Sequence, residues 1–225
     1  ISHLNSVTNM KTHYSKTTGL CLGLMVAAFA SAMVARAATD GPYTSTIVKS
    51  LTDWDQSVSV KQFNPALGTL NSVKLTLEGA QHTASTVENL NKNSTKTFIT
   101  GTAVYFTLFD SGPITNSLVV FPVTVIFTNT LLKSDSTAVF PNPPNNLNSG
   151  DDFASNPETG SSDTNSVVIA GSDPKSAQFI GAANLGLVIN ADATNVNLGP
   201  SDFAIVVHTE AGATLRVEYD YTPNA

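Results

Sequence analysis

The chain is poor in the residues that most often announce a function. Of its 225 residues one is cysteine, one is tryptophan and four are histidine, and only 12% are charged. The lone Cys21 lies in an apolar stretch near the N-terminus, so everything after it is held by neither a disulfide nor a thiolate metal site. Basic residues are scarce: after residue 37 there are 8 Lys and Arg against all 17 Asp and Glu, a net charge of −9 for that part. A polyanion is gripped mainly by clustered Lys and Arg, so nucleic acid and anionic membrane surfaces are not expected as partners. Neither a G-x-S-x-G elbow nor an H-E-x-x-H zinc motif occurs, and only His82 and His208 remain as candidate bases. No catalytic residue is assigned on this pattern, and no enzymatic activity is expected.

The N-terminus has a clear organisation. Residues 1–9 read as upstream residues, and from Met10 the pattern is that of an export signal. Lys11 and Lys16 supply positive charge, Gly19 to Met33 is an apolar run without charge, and Ala35-Arg36-Ala37 offers a small-x-small cleavage site. That run of 15 residues is short for a membrane span, which needs roughly 20. Residues 10–37 are therefore read as a cleavable signal peptide, and Ala38 as the first residue of a secreted chain. Leu20 precedes Cys21 and the apolar run continues past it, which argues against lipid attachment.

Beyond the leader, period-two patterning dominates. Val73, Leu75 and Leu77 alternate with Lys74, Thr76 and Glu78, and Leu215, Val217, Tyr219 and Tyr221 alternate with Arg216, Glu218 and Asp220. Half-buried strands read this way. Further β-rich runs are Tyr43 to Lys49, Ser57 to Phe63, Thr97 to Phe109, Leu118 to Phe127, Val167 to Ala170, Leu185 to Asn190 and Phe203 to His208. Turn signals separate them at Asn64-Pro65, Asp110 to Pro113, Leu198 to Pro200 and Ala211-Gly212. No segment after residue 37 carries a 3.6-residue apolar period. The expected fold is thus all-β, a single antiparallel β-sandwich of jelly-roll-like type over residues 38–225. Pro122 would delete a ladder hydrogen bond, so its strand is placed at a sheet edge or at a bulge. Residues 134–165 hold four prolines and five acids but no basic residue, and are read as a long exposed acidic loop.

The segment Phe63 to Leu77, FNPALGTLNSVKLTL, resembles the opening motif of the choice-of-anchor E domain, a family of exported bacterial β-domains. Asn64 stands where that motif has Asp, and both side chains stabilise a turn by bonding the backbone. Phe179-Ile180-Gly181 and Val217-Glu218-Tyr219-Asp220-Tyr221 resemble later parts of the same pattern. The resemblance implies an exported surface or extracellular domain and carries over no catalytic residue. The family's C-terminal sorting signal has no counterpart in Thr222-Pro223-Asn224-Ala225.

Three candidate sites follow from residue chemistry. Asp151, Asp152 and Asp163 are calcium candidates, because Ca²⁺ takes carboxylate and carbonyl oxygens, although the absence of EF-hand and nonapeptide-repeat spacing favours a solvated acidic loop. Trp54, between Asp53 and Asp55, either stacks on a sugar ring or caps one end of the core, and the general burial of large aromatics favours the cap. Asn93-Ser94-Thr95 is an N-glycosylation sequon. The functions expected are a secreted structural protein of the cell surface or extracellular matrix, including a fibre subunit, and, alternatively, a carbohydrate-binding or adhesion module. The partners expected are further copies of the chain, joined by strand addition through Ala38 to Ser50, and an extracellular polysaccharide.

Overall fold

The computed structural model describes residues 36–110, 116–134 and 152–224. The leader before Arg36, residues 111–115 of the expected Asp110 to Pro113 turn, and residues 135–151 of the expected acidic loop, Asp151 among them, lie outside the described residues. Eight strands make the fold: β1 (Ala38–Leu51), β2 (Trp54–Lys61), β3 (Gly68–Asn89), β4 (Lys96–Phe109), β5 (Ser117–Leu131), β6 (Phe153–Ala170), β7 (Asn184–Leu198) and β8 (Phe203–Pro223). Single 3-10 turns at Pro65–Leu67 and Pro174–Phe179 complete it. Among the described residues no helix is long and apolar enough to cross a membrane.

Sheet I has the order β1-β8-β3-β6 and sheet II the order β2-β7-β4-β5. Every pairing between named strands is antiparallel, and β1 pairs with β8, β2 with β7, β3 with β6 and β4 with β5. That nesting is one long antiparallel ribbon rolled over on itself, which is the eight-stranded jelly roll expected from the sequence. The alternating segments behave as their pattern predicts. Val73, Leu75, Leu77, Leu215, Val217 and Tyr219 are fully buried, and Leu75 lies opposite Val217 in sheet I. They pack against Val104, Phe106 and Leu108 of sheet II in a single core.

Strand length gives the sandwich two unlike halves. β3 has 22 residues and β8 has 21, about 70 Å at roughly 3.3 Å per residue. β1 accompanies β8 only from Tyr221 to Glu210, and β2 accompanies β7 only from Asn184 to Ala191. The end that holds Ala38 and Pro223, here called proximal, is therefore four strands wide in sheet I, and sheet II is four wide from Val188 to Ala191. The distal end is three wide.

Two expectations need correction. Residues 153–165 are not loop but the first part of β6, paired with β3 from Glu88 to Leu77. Their run of Ser, Thr, Asn and Gly carries no apolar alternation because β6 is an edge strand, exposed along most of its length. Ala211-Gly212 is not a turn: β8 runs straight through it, and His208 lies inside that strand. Glycine stands at 212 because Lys49 of β1 lies across it, where an added Cβ would sit 3.1 Å from the Lys49 nitrogen and 3.0 Å from the Ile47 carbonyl oxygen. Within the single chain Ala38 to Ser50 forms β1 and pairs with β8, the intramolecular alternative to donation. The edge placement of Pro122 holds, since β5 borders sheet II.

Candidate functional site

The segments that carry the family-like motifs meet at the proximal end. Asn64 caps the Pro65–Leu67 turn, its side chain accepting from the Ala66 N–H at 3.0 Å. The Phe63 N–H donates to Phe179 O at 2.8 Å and the Gly181 N–H to Phe63 O at 3.0 Å, so the two motifs bridge directly. The Phe63 ring lies 5.8 Å from Tyr219 and 5.3 Å from Tyr221, both from the closing motif. Gly68 leaves room for the chain's last strand, since a Cβ there would fall 2.0 Å from Thr222 O. The side chains of these motifs are thus spent on packing and turn geometry.

Polar groups surround this hub. The Tyr219 hydroxyl donates to Lys61 O at 2.7 Å, and burial, reinforced by Tyr43 and Asp40, pushes its pKa well above the usual tyrosine value. Tyr43 donates to Asp40 at 2.6 Å and accepts from Lys61 Nζ at 3.0 Å. That hydrogen bond from Lys61, with the nearby Tyr43 charge, raises the Lys61 pKa.

On the outer face of sheet I, an open hollow of about 450 Å³ is floored by Ala80, Gly212 and Thr214 and rimmed by Lys49, Glu78 and His82. His82 Nδ1 lies 2.7 Å from Glu158 Oε1, and Lys49 Nζ lies 3.1 Å from both His82 ring nitrogens. The tautomer with a proton on Nδ1 donates to the carboxylate, and the ammonium sits beside the ring. This carboxylate–imidazole–ammonium strap runs from β6 across β3 and over β8 to β1, and so ties together all four strands of sheet I on their outer face.

The outer face of sheet II is different. Tyr105 is 45% exposed and lies between Pro122 of β5 and Asp192 of β7 in the strand register. One row along, Asn190 faces Asp55 of β2. The Asn190 amide donates to Asp55 Oδ1 and to Asp192 Oδ1, each at 3.0 Å, which ties the two carboxylates together on this face, Asp192 next to Tyr105. A flat aromatic face flanked by oriented carboxylates and an amide matches the apolar face and hydroxyl edge of a sugar. The outward direction of Tyr105 is legible in the sequence, because period two turns it opposite to the buried Phe106. What no local pattern shows is that Asp55 and Asn190 join it across the sheet.

The sequence candidates fare differently. Asp152 is buried at the distal start of β6, its carbonyl accepting from the Asn89 N–H at 2.8 Å. Asp163 lies mid-strand opposite Gly79, its carboxylate accepting from the Thr164 N–H at 2.7 Å. Extended backbone holds these two carboxylates on the order of 35 Å apart, so they do not share a cation. Among the described residues no three His, Cys, Asp or Glu side chains group to hold a metal. Trp54 is half-buried against the core, with its Nε1 buried and lacking a hydrogen-bond partner. It closes the side of the sandwich where β1 crosses to β2. Asn93 is exposed in the distal turn between β3 and β4, with its N–H held by Asn91 Oδ1 at 2.9 Å. Compared with known proteins, the chain matches no family model, no curated protein and no solved structure.

Proposed function

We propose that this chain is an exported structural domain of a cell surface or extracellular matrix, working through its broad sheet faces and edges. The observation that carries this reading is the long pairing of β3 with β8 from Gly68–Pro223 to Asn89–Phe203, broken only by one register shift at Asn71, which makes sheet I a stiff spine with Ala38 and Pro223 at one end. A domain attached near that end projects its distal turns about 70 Å away, at roughly 3.3 Å per residue. The leader supports export, and cleavage after Ala37 would leave β1 whole, since that strand begins at Ala38. The likeness to choice-of-anchor E domains points the same way. The test is expression of the full chain in an exporting bacterial host, followed by fractionation and N-terminal mass spectrometry. Recovery outside the cytoplasm with Ala38 at or within a few residues of the N-terminus is expected; an intact leader on the exported protein, or cytoplasmic retention, overturns the reading.

A carbohydrate-binding role is the second reading, favoured by the Tyr105 platform. Tyr105→Ala removes a half-exposed ring and is expected to leave the fold intact while abolishing retention on whichever purified polysaccharide holds the parent protein. Equal retention of parent and variant across the panel removes this reading.

A further inference from the structure

We infer that the distal part of β8 is a self-association edge that pairs with the same strand of a second copy. Five other stretches of sheet edge are guarded, as soluble β-proteins require. β1 carries two register breaks, β2 is only eight residues long with Asp55 and Lys61 exposed, and β6 breaks register next to Pro157. β5 contains Pro122, and its Val120 carbonyl is covered by the Asn165 amide at 3.3 Å. The distal stretch of β7 interrupts its apolar pattern with Asn195 and Asn197. Phe203 to Val207, reading FAIVV, has no proline, no charge and no register break. Beyond Glu210 it pairs with β3 alone among the described residues, because β1 leaves for sheet II at Leu51.

The backbone geometry says how a partner would sit. Thr209 O accepts from the Thr52 N–H, so it points to the β1 side, and strand alternation turns the N–H and C=O of Val207 and Ile205 the same way. Laid antiparallel about Val206, Ile205 of one copy exchanges both backbone bonds with Val207 of the other. On the outer face Val206, 53% exposed, meets its own counterpart. The window from Ala204 to His208 is bounded by β1, which already bonds the Thr209 carbonyl, on one side and the Leu198 to Pro200 turn on the other, and an antiparallel copy of itself fills it. Its occupant is therefore a second copy in an isologous, closed arrangement. A single strand pair buries less than the roughly 1,200 Å² of stable complexes, and Asp202 falls opposite Glu210 of the second copy, so the dimer is weak and concentration-dependent. This inference concerns assembly and does not depend on export.

The test uses the full chain carrying Cys21→Ser, with one cysteine introduced by Val206→Cys. Across the two-fold axis this is a non-hydrogen-bonded pair with Cα atoms about 4.5 Å apart, within disulfide range. Mild oxidation is expected to convert Val206→Cys to a covalent dimer and to leave Val48→Cys, on the exposed side of β1, monomeric. Sedimentation should show concentration-dependent dimer for the parent chain and monomer for Val206→Lys. Equal cross-linking at both cysteines, a dimer that survives Val206→Lys, or a parent chain monomeric at millimolar concentration each overturns the inference. Export could fail while this dimer forms, or succeed without it, so the two experiments fail separately.

Discussion

The proximal and distal halves of the sandwich share six strands, yet their interiors follow different rules. Proximally, the inward positions of β3 are Val73, Leu75 and Leu77, facing Val104, Phe106 and Leu108, all fully buried. Distally, the same strand presents Gln81, Thr83 and Ser85, facing Thr100 and Thr102, and these too are buried. The change falls at Gly79, whose side-chain space is taken by the Phe106 ring, where a Cβ would lie 2.4 Å from a ring carbon. The distal polar groups bind one another. Thr209 Oγ1 lies 2.9 Å from Thr102 and 3.2 Å from Thr83, and Ser85 lies 3.3 Å from Thr100. The Gln81 amide donates to Thr102 O and to Val123 O at 3.2 and 2.7 Å, joining the two sheets. A three-stranded sheet buries less apolar area per residue than a four-stranded one, and directional hydrogen bonds hold the sheets in register there instead. A small apolar plug of Val87, Phe98 and Leu131 closes the far end.

Mutations sharpen this contrast, beginning with the largest expected effect. Leu75→Ala in the proximal core should cost about 2 to 5 kcal/mol, because a fully buried leucine leaves a cavity that the ladder cannot collapse around. Urea unfolding reads the loss, and a value under about 1 kcal/mol would mean that the proximal half does not depend on its apolar core. In the distal half, Thr209→Val and Thr102→Val should each cost roughly 1 to 3 kcal/mol by orphaning a buried hydroxyl, while the double variant should cost less than their sum. Additive losses would break the comparison by showing two independent contacts in place of a network.

How far the sequence revealed these halves depends on which signal each strand carries. The jelly roll and the proximal core were legible because Val73 to Leu77 and Leu215 to Tyr221 alternate apolar with polar, and one face is buried. The distal continuation of β3 was not, since Gln81, Thr83 and Ser85 break the apolar code while still pointing inward. β6 was read as loop over residues 153–165 for a related reason: an edge strand exposed on both faces has no period to display. Gly212 looked like a turn because glycine usually marks one, whereas here it clears space for Lys49 from a strand more than 160 residues earlier. The Tyr105 face and the His82 strap are assembled across strands in the same way. Trp54 packs against the core, as the core reading expects, and the exposed ring is that of Tyr105.

Alkaline pH separates the proximal hub from the rest. Because the folded Tyr219 pKa is raised, its contribution is complete below the unfolded tyrosine value of about 10 and is lost as pH rises past it. The raised Lys61 pKa acts in the same direction. Tyr219→Phe should lose about 1 kcal/mol at pH 8 with the bond to Lys61 O, and should then decline less steeply than the parent chain above pH 10. Parallel pH profiles for the two proteins would place the alkaline sensitivity elsewhere.

The smallest effect is expected from the strap outside the waist, where four strands become three. His82 and Glu158 are 35% and 58% exposed at the side chain, and the strap spans all of sheet I through Lys49. Exposed ion pairs contribute about 0 to 1 kcal/mol, since water screens the charges and the side chains give up rotamer freedom to meet. His82→Ala should therefore lower stability by less than about 1 kcal/mol while speeding amide exchange at Glu158 and its neighbours in β6, which lose an outer brace to β3 and β1 at that register break. If unfolding instead showed a loss above about 2 kcal/mol, comparable to removing a buried hydroxyl, the waist would be held from its outer face as firmly as by the threonines inside it.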